Sequence, residues 1–186
     1  REKRLKNEII DTIMDGDSMM LVADGHEFLS IYMEAESPAG AVIILHGRGF
    51  HPDWVDAIQP LRIGLVEHGW NTLSIQLPVL EKQAKYYDYL PIFDEATPRI
   101  DAAIDFLKAQ GNEKIILLAH SCGAHMAMQY VRNKGEGRFD AFVGIGMGAT
   151  DYKQPMKQGF PLNEMKKPVL DIFGGDDYPA VHRLAA

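Results

Sequence analysis

The sequence predicts an α/β fold: a mostly parallel sheet with helices on both faces and an antiparallel hairpin at its N-terminal edge. Three observations carry that expectation. Five short segments read as strands, AVIIL (41–45), NTLSIQL (71–77), KIILL (114–118), AFVGIG (141–146) and PVLDIF (168–173), and AVIIL has the continuous hydrophobicity of a strand buried on both faces. Helical patterns alternate with them, and strand–helix alternation of this kind closes as a parallel sheet covered on both sides. Ahead of them, SMMLVADGHEFLSIYMEA holds two apolar runs around Asp24-Gly25, a strong hairpin signal.

Taken in order, residues 1–15 read as an amphipathic helix, with Leu5, Ile9, Ile10 and Ile13 near one stripe. In the second hairpin strand Leu29, Ile31 and Met33 alternate with Ser30 and Tyr32, the pattern of a half-exposed strand. A helix is expected over 56–68, with Pro60 near its first turn and Gly69 as its stop. After the strand at 71–77, PVLEKQAKYYDYLPIFDE is expected to be an irregular working loop or small lid. Its Tyr86, Tyr87, Tyr89 and Phe93 either line a pocket or pack that lid against the body. The next helix has Thr97 as its cap, Pro98 at its first position, Ile100, Ala103, Ile104 and Leu107 as its buried stripe, and Gly111 as its end. A further helix is expected over 122–134.

The junction AHSCG (119–123) is where the sequence becomes chemically specific. A strand that runs straight into a helix forces the residue between them into a strained conformation and projects its side chain from the sheet top. Small residues are needed two positions before and after it, because the two backbones pass closely there. Ala119 and Gly123 meet that need around Ser121, whereas centring the turn on Cys122 would place the bulky His120 at a flank. Ser121 is therefore the projecting residue and Cys122 starts the helix. In that position the Cys122 N–H, at the positive helix end, is aimed toward a developing oxyanion. The same helix end is expected to lower the Cys122 thiol pKa.

His46-Gly47-Arg48-Gly49 follows the first buried strand directly. In a nucleophile elbow the corresponding loop supplies the second oxyanion N–H, here from Arg48. After the last strand, FGGDD offers a carboxylate to orient a histidine, with Asp177 and Asp176 both candidates. Asp171 lies within that strand, and Asp151, after the preceding one, is the poorer choice.

Composition narrows the classes. At 186 residues the chain is expected to form a single domain over 1–186. Its formal charge of −7 argues against a nucleic-acid partner, which would require a clustered cationic surface. The one basic cluster, REKRLK at the start, reads as a solvated helix end. No apolar run approaches the roughly 18 residues that span a bilayer. The single cysteine excludes an internal disulfide, and the seven histidines show no metal-ligand spacing, so no metal is expected. The chain begins at Arg1 with no visible signal peptide.

These stretches resemble the α/β-hydrolase superfamily and, more closely, a bacterial group of uncharacterised α/β-hydrolase-like proteins. The similarity spans almost the whole chain, through GDSMMLVADGHEFLSIYMEAE, LHGRGFHPDW, PLRIGLVEHGWNTLSIQLPV, AHSCGAHMA and PVLDIFGGDD. The resemblance implies a Ser–acid–His hydrolase of an ester, thioester or similar acyl bond, with a small-molecule acyl substrate and no cofactor. Ser121 matches the nucleophile, and Asp177 matches the Gly-x-x-Asp spacing counted from Gly174. Members of the bacterial group often carry export leaders, which implies a periplasmic or secreted location.

Two departures stand out. Ala119 replaces the first elbow glycine, and no histidine occupies the expected place after Asp177, beyond one more helix and strand. His182 comes five residues after Asp177, at the start of a helix, and reads as a surface residue. His46 and His120 read as scaffolding of the loop and elbow, while His51 and His125 fall outside the chain order. Against the superfamily pattern the chain is expected to lack the last helix and strand, with the histidine supplied from beyond residue 186. Two functional readings follow: a serine hydrolase, or a non-catalytic α/β-hydrolase-like binding or assembly subunit that keeps the elbow as architecture.

Overall fold

The computed structural model describes residues 1–185. The hairpin strands β1 (Asp17–Ala23) and β2 (His26–Met33) pair antiparallel across Asp24-Gly25. Asp24 and Gly25 have φ of 48° and 78°, the double left-handed turn that matches strand twist. Five parallel strands follow: β3 (Ala41–Leu45), β4 (Asn71–Ile75), β5 (Ile115–His120), β6 (Ala141–Ile145) and β7 (Val169–Ile172). The sheet order is β1-β2-β4-β3-β5-β6-β7, with β2 joined antiparallel to β4. The expected fold class is thus the observed one.

Side-chain alternation divides the core. From β3, Ala41, Ile43 and Leu45 face the larger cluster, which is completed by helices α4 (Ala96–Ala109) and α5 (Cys122–Lys134). Val42 and Ile44 face the other side, against Ile58 of α2 (Ile58–Glu67). The expected stripe of α4 is fully buried at Ile100, Ala103, Ile104 and Leu107. The N-terminal helix α1 (Glu2–Ile9) is anchored rather than merely solvated, because Arg99 of α4 grips Glu2 with both guanidinium Nη atoms, at 2.8 and 3.1 Å. Arg1 donates to the Gly49 carbonyl at 3.1 Å.

Four expectations are corrected. Strand β2 is buried on both faces from Phe28 to Tyr32 instead of half-exposed, because it lies between β1 and β4 with α4 on one side and Arg62 of α2 on the other. Strand β7 lies at the edge of the described sheet, and Val169, Leu170 and Ile172 remain exposed despite their apolar run. Thr97 is not the cap of α4. A 3₁₀ turn over Leu90–Glu95 feeds directly into the helix, and Thr97 instead accepts a 3.0 Å hydrogen bond from Asn133 of α5. The segment after β4 is not irregular. It forms the short helix α3 (Tyr86–Tyr89) and that 3₁₀ turn, burying Tyr86, Tyr89 and Phe93 in the main core. The chain's last described helix is α6 (Pro179–Ala185).

Candidate active site

The site is built at the carboxyl ends of β3, β5 and β6, where ligands gather in sheets of this kind. Ser121 separates the end of β5 from the start of α5 with φ 51° and ψ −115°, a conformation from which an L-residue is sterically repelled. Two backbone hydrogen bonds hold it there. Its N–H donates to Ile145 at 2.8 Å, and its carbonyl accepts from Ala124 at 3.0 Å. Ser121 and Cys122 face a cleft of about 750 Å³ that Gly47, Arg48, Phe50 and Trp54 also line.

Glycine is required beside Ser121 for a reason visible in the distances. A β-carbon at position 123 would lie 2.6 Å from the His46 carbonyl oxygen and 2.7 Å from that of Leu45. The first turn of α5 therefore rests against the backbone of the 46–50 loop. At Gly47 a β-carbon would meet His120 Nδ1 at 2.9 Å. Ala119 is completely buried between β3 and β6, so the first elbow position tolerates a methyl group but leaves no free space.

His46 fixes the loop from beneath. Its Nδ1–H donates to the Gly47 carbonyl at 2.8 Å, and its Nε2 accepts from the Leu77 N–H at 2.9 Å. Burial pushes its pKa down to about 3, so the ring is neutral in the fold. Above it, the Arg48 guanidinium forms a bidentate ion pair with Asp151, the second bond being 3.1 Å from Nη2 to Oδ1. Asp151 also accepts the Tyr86 N–H at 2.6 Å, tying the 149–155 loop to α3. The hydrogen bond from Arg48 holds the Asp151 carboxyl below its usual range, against the opposing effect of burial. This pairing escaped the sequence reading. Its available signal was two opposite charges placed just past the carboxyl ends of strands in one sheet.

Cys122 reverses an expectation. Its thiol is buried, and burial pushes its pKa up to about 12. The helix terminus favours a thiolate, but loss of water outweighs it.

The two candidate acids separate clearly. Asp176 is exposed, whereas Asp177 is half-buried with its Oδ2 3.4 Å from the position a β-carbon would take on Gly146. Gly146 directly follows Ile145, the residue that accepts from the Ser121 N–H, so Asp177 stands on the same sheet end as Ser121. The residues after it, Tyr178 to Ala180, line the cleft. Burial raises the Asp171 pKa, with the nearby Asp177 charge adding to the effect.

None of the seven histidines forms a hydrogen bond with Ser121 Oγ among the described residues. His125 donates from Nε2 to the Ala149 carbonyl at 2.9 Å and lies against Tyr86, Phe93 and Phe160. His51 accepts from the Asp53 N–H at 3.3 Å. His182 packs edge-on against Phe173, with ring centroids 5.4 Å apart. His120 lies beside the cleft, and its buried Nδ1 has no hydrogen-bond partner among the described residues. No cluster of three or more metal-ligating side chains occurs among the described residues, and no described helix is long and apolar enough to cross a membrane.

No curated protein matches the sequence. Solved structures do match the fold. An esterase from Pyrococcus furiosus, Pf2001, is 17% identical with a TM-score of 0.59, over 75% of this chain and 55% of that one. A putative α/β hydrolase of unknown function from Agrobacterium tumefaciens is 16% identical with a TM-score of 0.64, over 91% of this chain and 79% of the other. A predicted CIB-like hydrolase from Thermoplasma acidophilum is 17% identical with a TM-score of 0.63, over 88% and 76%. The chain spans about half the length of the P. furiosus esterase. At these identities the likeness is one of architecture, and the architecture is that of the α/β hydrolases. By sequence the correspondence runs nearly end to end: a family model matches residues 1–89 and 92–186, and the chain belongs to the family described as protein of unknown function (DUF3530).

Proposed function

We propose that the protein is a serine hydrolase acting on an ester, thioester or similar acyl bond. The observation that carries this reading is the backbone of Ser121, at φ 51° and ψ −115° between β5 and α5, facing a cleft shared with the 46–50 loop. A strained residue in a cleft is retained where the surrounding fold over-determines it, and such residues cluster at reactive sites. In this reading Ser121 Oγ attacks the acyl carbon as its proton passes to a histidine. The carbonyl π electrons move to oxygen, and the N–H groups of Arg48 and Cys122 hold that oxyanion. Collapse expels the alcohol or thiol with the histidine proton, and water then releases the acyl group by the same steps. Asp177 orients the histidine, with Asp176 turned to solvent. The chemistry needs no cofactor.

A serine without a base is a poor nucleophile, and no histidine among the described residues bonds to Ser121 Oγ. In this reading the base is a histidine not paired with Ser121 Oγ among the described residues, and the test uses the full-length gene product. A fluorophosphonate probe should label it, Ser121→Ala should abolish the label, and Cys122→Ala should leave most of it, since only the Cys122 backbone is used. The absence of a paired histidine also favours a second reading, a binding or assembly subunit that retains the elbow as architecture. A folded full-length protein that refuses the probe would establish that second reading over the first.

A further inference from the structure

The cleft beside Ser121 has a charge that the rest of the molecule does not share. The chain carries a formal charge of −7, yet the charged side chains lining the cleft are Arg48, Asp151, Lys153 and Arg183. Arg48 and Asp151 satisfy each other. Lys153 and Arg183, both exposed, form no ion pair among the described residues, and with Asp177 behind the lining as the one opposing carboxylate they leave the cleft net positive. Opposite-sign clefts in a charged protein concentrate ligands of the complementary sign.

The placement of Lys153 is constrained. Among the described residues, three non-glycine residues have positive φ: Asp24, Ser121 and Lys153. Asp24 serves the hairpin turn, whereas the other two line this one cleft. Lys153 has φ 58°, which β-carbon crowding disfavours, and its Nζ lies 5.2 Å from the Tyr152 ring centroid. Its loop is fastened on both sides of it: Asp151 accepts the Tyr86 N–H at 2.6 Å, and Gln154 accepts the Tyr87 N–H at 2.8 Å.

Another part of the cleft lining is aromatic. Phe50 and Trp54 stack with ring centroids 3.6 Å apart and an interplanar angle of 11°, and both line the cleft. Such a face receives a planar apolar group edge-on or offset. The geometry points to a substrate that is both flat and anionic: an ester bearing a carboxylate on an aromatic or similarly planar body. The Phe50–Trp54 face takes the body, and Lys153 with Arg183 takes the carboxylate, for which a guanidinium is the better matched donor. This inference rests on the hydrolase reading for the ester, but the anion site itself does not depend on turnover.

The test uses the full-length gene product and two substrates of closely similar shape, 4-acetoxybenzoate and the neutral 4-acetoxybenzamide, which differ in the negative charge. The KM for the anion should be lower by about fivefold, as expected for two partly solvated charge contacts, and 0.5 M salt should shrink the ratio. In the Lys153→Gln/Arg183→Gln double variant the ratio should fall toward one. Equal KM values in the wild-type protein, or a ratio that survives in the double variant, overturn the inference. Binding is read separately by quenching of tryptophan fluorescence with the amide analogue 4-acetamidobenzoate and the neutral 4-acetamidobenzamide, with Trp54→Phe assigning the signal to the cleft. A protein that prefers the anion but refuses the fluorophosphonate probe loses the hydrolase reading and keeps the anion site. A protein that takes the probe but binds both analogues alike keeps the hydrolase reading and loses the anion site.

Discussion

Gly123 and Gly64 are both helical glycines, and replacing each with alanine should move stability in opposite directions. At position 123 the new methyl carbon would sit 2.6 Å from the His46 oxygen and 2.7 Å from the Leu45 oxygen. An ordinary carbon–oxygen approach is about 3.3 Å, so the overlap is about 0.7 Å against two backbone atoms. Strand β3 cannot yield, since β4 and β5 pair with it on both sides. Helix α5 must therefore move outward. Overpacking of this kind costs about 3 kcal/mol at its upper end, and better helix propensity returns at most about 1 kcal/mol. The net loss is about 2 kcal/mol. Gly64 lies within α2 with nothing within 4 Å of its would-be methyl, so there only the propensity gain of about 1 kcal/mol remains. In urea, with a slope of about 2 kcal/mol/M, the midpoint should fall by about 1 M for Gly123→Ala and rise by about 0.5 M for Gly64→Ala. Serine-directed labelling should also drop in Gly123→Ala, because α5 carries Cys122 away from the 46–50 loop. An unchanged or raised midpoint for Gly123→Ala refutes the close strand–helix contact from which these numbers are worked.

Three further outcomes are expected. Asp151→Asn should slow serine labelling severalfold by freeing Arg48, while costing no more than about 1 kcal/mol in a urea melt because the pair is partly solvent-screened; undiminished labelling would remove Asp151 from the site's support. With its pKa pushed up to about 12, native Cys122 is a thiolate in only about one molecule in ten thousand at pH 8. Ellman's reagent should consequently react in urea but not in buffer, and prompt native reaction would contradict the burial. Acid should destabilise the fold through His46 and His125, whose burial lowers their pKa values to about 3 and about 4. Because the unfolded chain binds these protons first, stability is complete above about pH 6.5 and declines below it, on the order of 2 kcal/mol per histidine at pH 5. Melts at pH 7 and pH 5 check this, and His125→Phe should flatten the slope.

Local pattern was enough for much of this. Continuous apolar runs marked β3 and β5 because strands covered on both faces have little polar side to display, whereas β4 buries Asn71, Thr72 and Ser74 among its apolar residues. Asp24-Gly25 marked its hairpin because few residue pairs accept two left-handed backbones in succession. The AHSCG junction identified Ser121 because small residues at fixed offsets leave one residue to project, and Asp177 could be separated from Asp176 only as a matter of spacing. Where the pattern misled, the deciding partner was remote in sequence. The alternation of β2 suggested an exposed face, but Arg62 of α2 covers it. The apolar run of β7 suggested burial, but it lies at the edge of the described sheet. Thr97 looked like a cap until a preceding 3₁₀ turn and Asn133 claimed its place.

The same division holds inside the candidate site. The residue types at the elbow and in the 46–50 loop were set by backbone conformation and close approach, which are short-range constraints that a sequence displays directly. The Arg48–Asp151 ion pair, 103 positions apart, exists only because β3 and β6 end on the same side of one sheet. The height of the Cys122 pKa depends on what buries the thiol, and the charge of the cleft depends on which cations a distant loop and helix bring to it. Sequence by itself determined the periods and the turns, because φ, ψ and side-chain alternation are properties of neighbouring residues. Tertiary structure alone decided burial, pairing and electrostatics, because those depend on distances between groups that the chain does not place next to one another.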